Sequence, residues 1–351
     1  MHVTAALAAL LTGLVLVLAT GMSVLRSLVS SDERPGRMEL GLVRAAVWSL
    51  SAAETRLGRR PTVWLSRGAG PTVLAALLTC WLIAFSTGGL LVAEAAAGLS
   101  DLDGPLRALA TGNGAVGSAR TVISLTWLAD GITAALWVAL VAQVADAHRS
   151  RERLAARVGT LARGDMDAEE VIALHGRSGG AGSLGPMLDD WGGAMTDLMR
   201  SHATHPVLLI MPISRRTPCW IRALAIALDV AALLDAALPA TAPPRTRAIL
   251  RAGCETAQSL VRTLGVPVRP VDASLHGREG RTFDQTVSII RGSGLPVRSD
   301  LAAVYRDFQQ WRLGYGPHLT ALAVQLRSEK PIAPTSQYSH AAPLAGAGAV
   351  R

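Results

Sequence analysis

Three uninterrupted apolar stretches limit what this chain can fold into. Residues 3–25 and 71–93 contain no charged side chain, and residues 121–145 contain one, Asp130. Each stretch exceeds the roughly 20 apolar residues that carry an α-helix across a hydrocarbon core. Half of the 351 residues are hydrophobic, and the mean hydropathy is +0.33. The chain therefore reads as an all-α integral membrane protein with three transmembrane helices. The first stretch reads as a retained anchor. Cleaved signal peptides place positive charge before the apolar run, whereas here "MHVT" precedes it and Arg26 follows.

Arginine placement orients the spans. Segment 26–67 holds eight arginines (26, 34, 37, 44, 56, 59, 60 and 67), whereas 96–119 holds only Arg107. Beyond the third stretch, Arg149, Arg151, Arg153, Arg157 and Arg163 follow in quick succession. The positive-inside rule then puts the N-terminus outside and everything after residue 147 in the cytoplasm of a bacterial cell. The net charge of +8 belongs to this membrane pattern, with basic flanks facing the anionic lipid of the bilayer. No basic helix with interleaved aromatics points to nucleic acid. Cys80 lies within a span, Cys219 and Cys254 lie inside, and no CxxC spacing occurs, so neither disulfides nor a zinc site is expected.

Residues 1–147 thus form a transmembrane domain and 148–327 a cytoplasmic helical domain, with 328–351 a disordered tail lacking bulky apolar residues. A charged helix continues the third span through 149–163. Pro186 opens a further helix that stops before Pro206. Another follows Thr217-Pro218, a third ends at Gly265, a fourth is capped by Thr282 with Gln285, and Ser299 caps the last. Residues 219–238 are apolar and of span length, but Arg222, Asp229 and Asp235 would each cost about 2.5–3.5 kcal/mol at a span centre. A buried helix of the cytoplasmic core is expected there.

"TGNGAVG" (111–117) matches the dinucleotide fingerprint Gly112-x-Gly114-x-x-Gly117, but no strand leads into it. A span, a short helix, a glycine-rich turn and a second span are instead the plan of a channel pore loop, where backbone carbonyls replace an ion's hydration shell. Thr111, Gly112, Asn113 and Gly114 are the filter-like positions of that plan; the other reading is an external loop. Asp130, with Thr126, Thr133, Ala134 and Trp137 on its helical face, either lines a pore beneath the loop and attracts cations, or is protonated, or bonds a Ser or Thr of a neighbouring helix. Gly314-Tyr315-Gly316 copies the core of a potassium filter without flanking spans and reads as a helix break. His202 and His205, with His175 elsewhere, lack acidic or cysteine partners at ligand spacing, so the pair reads as a helix end. No arrangement of nucleophile and base marks an enzyme, and no cofactor is expected.

The chain resembles a family of bacterial integral membrane proteins that is often labelled two-pore-domain potassium-channel-like. The resemblance rests on "LATGMSVLRSLV" at the end of the first span, on the two further spans around a loop, and on four inner stretches. These are "SHATHPVLL" (201–209), "CWIRALAIALDVAALLDAAL" (219–238), "ILRAGCETAQSLVRTLGVPV" (249–268) and "FQQWRLGYG" (308–316), and coverage extends to about residue 326. The resemblance implies a Thr-Leu-Gly-Phe-like filter, from which Thr111-Gly112-Asn113-Gly114 departs. Two functions follow as expectations. One is a homo-oligomeric pore for a monovalent cation such as potassium. The other is a non-conducting scaffold or sensor whose cytoplasmic domain binds a partner.

The topology is directly testable. A reporter fused after Gly98 is expected outside, and fusions after Arg163 and Arg327 inside. An outside signal after Arg327 with an inside one after Arg163 would make 219–238 a fourth span.

Overall fold

The computed structural model describes residues 2–29, 36–96, 118–161, 167–212, 219–268 and 283–326. The described residues form ten α-helices, two short 3-10 helices and no strand. They divide into two compact units, Met1–Asp146 with His202–Pro212, and Ala147–Ser201 with Ile213–Arg351. The filter-like residues 111–114 and the tail 328–351 lie outside the described residues.

The first unit contains α1 (His2–Val29), α2 (Arg37–Leu57), α3 (Arg59–Ala96) and the first part of α4 (Ser118–Leu161). Segments Thr4–Leu28, Leu65–Ala96 and Ser118–Gly159 are long and apolar enough to cross a membrane. Leu11, Val15 and Leu18 of α1 and Leu125, Leu128 and Ile132 of α4 are exposed. Such apolar faces suit lipid rather than water. At 1.5 Å per residue, α3 with 38 residues and α4 with 44 exceed the ~30 Å hydrocarbon thickness. Their ends therefore extend beyond it.

Two adjacent glycines on α3 explain how its neighbours approach. A Cβ on Gly88 would lie 2.8 Å from Val17 of α1, and one on Gly89 would collide with Thr126 of α4. Successive helical residues point about 100° apart, so each glycine serves a different partner. Close backbone approach through small residues is the usual route to helix packing in lipid, where no hydrophobic force separates helix from solvent. Trp81 of α3 donates to Ser23 Oγ of α1 at 3.2 Å, and Trp137 of α4 donates to the Leu74 carbonyl of α3 at 2.9 Å. Both helix pairs are antiparallel, since residues later in one helix meet earlier ones in its neighbour.

The sequence reading did not anticipate α2. It buries Glu39, Val43 and Val47, and Gly58, at φ 82°, turns the chain into α3. That left-handed dihedral favours glycine.

The second unit is built on α5 (Ala168–Gly179), α6 (Leu184–Thr204, which enters the first unit at His202), α7 (Trp220–Ala237), α8 (Thr246–Leu264), α9 (Phe283–Arg291) and α10 (Leu301–Gln325). Every residue of α7 except Arg222 and Asp235 is buried. The span-length stretch 219–238 is thus the central helix of this unit, as its charges led us to expect. Asp229 accepts from Arg312 Nη1 at 2.6 Å and from the Tyr315 hydroxyl at 2.5 Å, both on α10. Asp235 accepts from Trp311 Nε1 at 2.9 Å and from Arg247 Nε at 2.8 Å. On the C-terminal arm of α4, the buried Arg151 stacks its guanidinium 5.6 Å above the Trp220 ring and donates to His148 Nδ1 at 2.9 Å.

Two local expectations need correction. Gly314-Tyr315-Gly316 is no helix break, because α10 runs through it and through Pro317. Gly314 instead admits α8, since a Cβ there would lie 2.8 Å from Cys254 Sγ, and Tyr315 anchors Asp229. Asp300, rather than Ser299, caps α10 by accepting the Ala303 N–H at 3.0 Å. The predicted end at Gly265 stands, with its αL dihedral of φ 67°. Thr217, Pro218 and Thr282 lie outside the described residues.

Arg312→Met is expected to destabilise the second unit by about 3–5 kcal/mol, because it strands the buried Asp229 carboxylate. Asp229→Leu combined with Arg312→Met is expected to recover much of that loss. Thermal unfolding of the purified variants reads both.

Candidate functional site

Asp130 stands half-buried on α4 and turns toward α3, where Ser86 Oγ donates to its Oδ2 at 3.0 Å. Its other oxygen, Oδ1, is shielded and has no protein partner. Thr126 and Thr133 donate to carbonyls of their own helix, Val122 and Ala129, at 2.9 and 2.8 Å. Trp137, on the same face, reaches Leu74 as described above. The face carrying Asp130 therefore forms a polar seam between α3 and α4, with Gly89 making room for it. Of the sequence-predicted positions, this is the one the described residues place.

A second carboxylate escaped the sequence reading. The chain leaves α6 at Thr204, and residues Pro206–Ile210 form a 3-10 turn, the strap, which packs against α2 and α3 within the first unit. Pro206, Val207, Leu208, Leu209 and Ile210 are all buried. Gly70 of α3 accommodates the strap's exit, since a Cβ there would lie 2.7 Å from Met211 Sδ. Glu39 of α2, 1 % exposed, accepts the Val207 N–H at 3.3 Å through Oε1. Its Oε2 is buried without a hydrogen-bond partner. Burial pushes the Glu39 carboxyl up to about 7, against the smaller opposing pull of the Val207 N–H.

His205 begins the strap without a side-chain cap bond, and its Nδ1 is buried without a partner. Burial lowers its pKa. His202 is also buried, at the end of α6. His175 sits on α5, with Nδ1 in contact with the Val171 carbonyl at 3.0 Å. The histidines thus do not converge, and no group of three or more His, Cys, Asp or Glu side chains arranged to hold a metal occurs among the described residues.

In the second unit, burial raises the Asp229 carboxyl, while Arg312 and Tyr315 pull it back. An ion pair closed on both sides in this way binds helices together and leaves no open coordination for a substrate. A groove of about 330 Å³ between α6 and α8 is lined by Met195, Ile249 and Ala252, with Asp189 and Arg245 at its edge. The Asp189–Arg245 contact there is 3.7 Å and solvent-exposed.

No protein-family model matches the chain, and no significant match was found among curated proteins or solved structures.

The polar seam has a steric test. Gly89→Ala is expected to part α3 from α4 and lower the melting temperature in detergent, because the new methyl overlaps Thr126. Thr126→Gly in the same chain is expected to restore part of it. Equal melting of wild type and Gly89→Ala would show that the helices do not approach at this point.

Proposed function

We propose that this protein is a membrane-anchored sensor or scaffold, whose helical second unit engages a partner on the arginine-rich, cytoplasmic side. The observation that carries this reading is the strap. A piece of chain lying between two helices of the second unit, α6 and α7, is packed inside the membrane-helix unit and fully buried there. The chain also passes from one unit to the other within the single helix α4. A displacement of α2 or α3 therefore acts on the strap, which continues in sequence from the end of α6. In the core of the second unit, the buried Asp229 is paired with Arg312.

The second reading is a homo-oligomeric cation pore. It is favoured by Asp130, whose Oδ1 has no partner within a span, and by the resemblance to the potassium-channel-like family. In that arrangement Asp130 would attract cations below the loop containing residues 111–114.

Potassium flux into liposomes loaded with purified protein separates the two. The sensor reading expects flux no greater than in empty liposomes, and Asp130→Asn indistinguishable from wild type. Potassium flux that falls on Asp130→Asn, in protein that still assembles, would overturn it in favour of the pore.

A further inference from the structure

We propose that the strap Pro206–Ile210 is a proton-dependent latch, tightened when Glu39 takes up a proton and loosened when it ionises, with His205 setting an opposing limit. The inference gives the sensor reading its stimulus and rests on that reading for its consequence, but the latch itself is tested without any partner.

The geometry supplies the device. The strap is held by apolar burial and by a hydrogen bond from the Val207 N–H to Glu39 Oε1. A neutral carboxyl keeps that acceptor and hides little charge. An ionised one must stay buried with a single neutral donor, and burial without further partners penalises the charged form. The penalty disappears once the strap lifts and water reaches the carboxylate.

Among the described residues no charged side chain is bonded to this carboxylate. Arg26 of α1, Arg37, Arg44 and Arg56 of α2, and Arg67 of α3 are exposed. Glu54 of α2 is partly buried, and Glu94 lies at the far end of α3. The strap has no charged residue; Arg200, His202 and His205 precede it, and Arg215 and Arg216, which follow it in sequence, lie outside the described residues. Among the described residues none is paired with Glu39.

The sign follows from linkage. Glu39 titrates near 7 when latched and near its ordinary 4.5 when released. The latched state therefore holds the proton more tightly, and latching weakens as pH rises from about 4.5 to about 7. His205 works the other way. Its imidazole is kept neutral by burial, so release lets it protonate below its ordinary 6.5, and latching weakens as pH falls through that value. From pH 7.5 to 6.0, Glu39 alone tightens the latch roughly eightfold, and His205 alone loosens it.

Amide hydrogen exchange of the full chain in lipid nanodiscs, compared at pH 7.5 and 6.0 after correction for intrinsic rates, measures the opening equilibrium of residues 207–211. In Glu39→Gln, which keeps the acceptor for Val207, strap protection is expected to fall on acidification. In His205→Gln it is expected to rise about eightfold, and wild type falls between them. Unchanged protection of α7 amides certifies the fold of each variant. Identical pH responses in the two variants, or strap protection independent of pH in both, would overturn the latch. Since no ion or partner enters this measurement, its failure is distinct from that of the sensor reading, which the flux experiment decides.

Discussion

A charge taken out of water must be paired, neutralised or returned to solvent, and this requirement decides how each apolar helix of the protein is used. On the basis of length and hydropathy alone, α7 rivals the spans. Its acidic residues would be costly in lipid. In the second unit, however, Asp229 meets Arg312 and Tyr315, and Asp235 meets Trp311 and Arg247. The pairing turns a marginal span into a core helix, wrapped by α8 and α10. The net gain over an all-apolar core is small, because desolvating two ions consumes most of their attraction. What the pair contributes is register, since each partner tolerates only the other at that site.

Glycine governs the other axis of packing. Gly88 and Gly89 let α3 meet α1 and α4, Gly253 lets α8 meet Leu228 of α7, and Gly314 lets α10 meet Cys254 of α8. None of these four sits in a turn. Each occurs in the middle of a helix, where it costs about 0.5–1 kcal/mol relative to alanine, a cost offset by contact that a side chain would prevent. In the sequence a glycine pair can resemble punctuation, which is why Gly314-Tyr315-Gly316 reads as a break until the helix that runs through it is seen.

What the sequence discloses and what it withholds divide along physical lines. Span positions are legible because hydropathy is a local property and lipid is an unforgiving solvent. Gly265 is legible as a helix end because αL geometry selects glycine. Asp130 stands out because a carboxylate among apolar residues is expensive wherever it goes. Glu39 does not stand out, because in "RPGRMELGLVR" it is one acid among arginines and looks solvated. Its burial depends on Val207, 168 residues away in sequence, just as Asp229 depends on Arg312, 83 residues away. No periodicity links such pairs. The helix α2 was missed for a related reason: its buried side, Glu39, Val43 and Val47, is narrow and includes a charge.

The balance of forces at the strap determines what kind of switch it makes. A shift of the Glu39 carboxyl from 4.5 to about 7 corresponds to roughly 3 kcal/mol between the ionised and neutral latched states, at about 1.4 kcal/mol per pKa unit. Burying Val207, Leu208, Leu209 and Ile210 contributes roughly 1.5–3 kcal/mol each, less the entropy of ordering them. Ionisation is therefore too weak to expel the strap outright, yet large enough to change its open population by orders of magnitude at the extremes of pH. The device is graded. The opening frequency of such a strap follows the proton uptake of its acidic partner, opposed at low pH by that of His205. A strap held by a salt bridge would respond with the opposite sign, because acid would neutralise the carboxylate and remove the bond that held it.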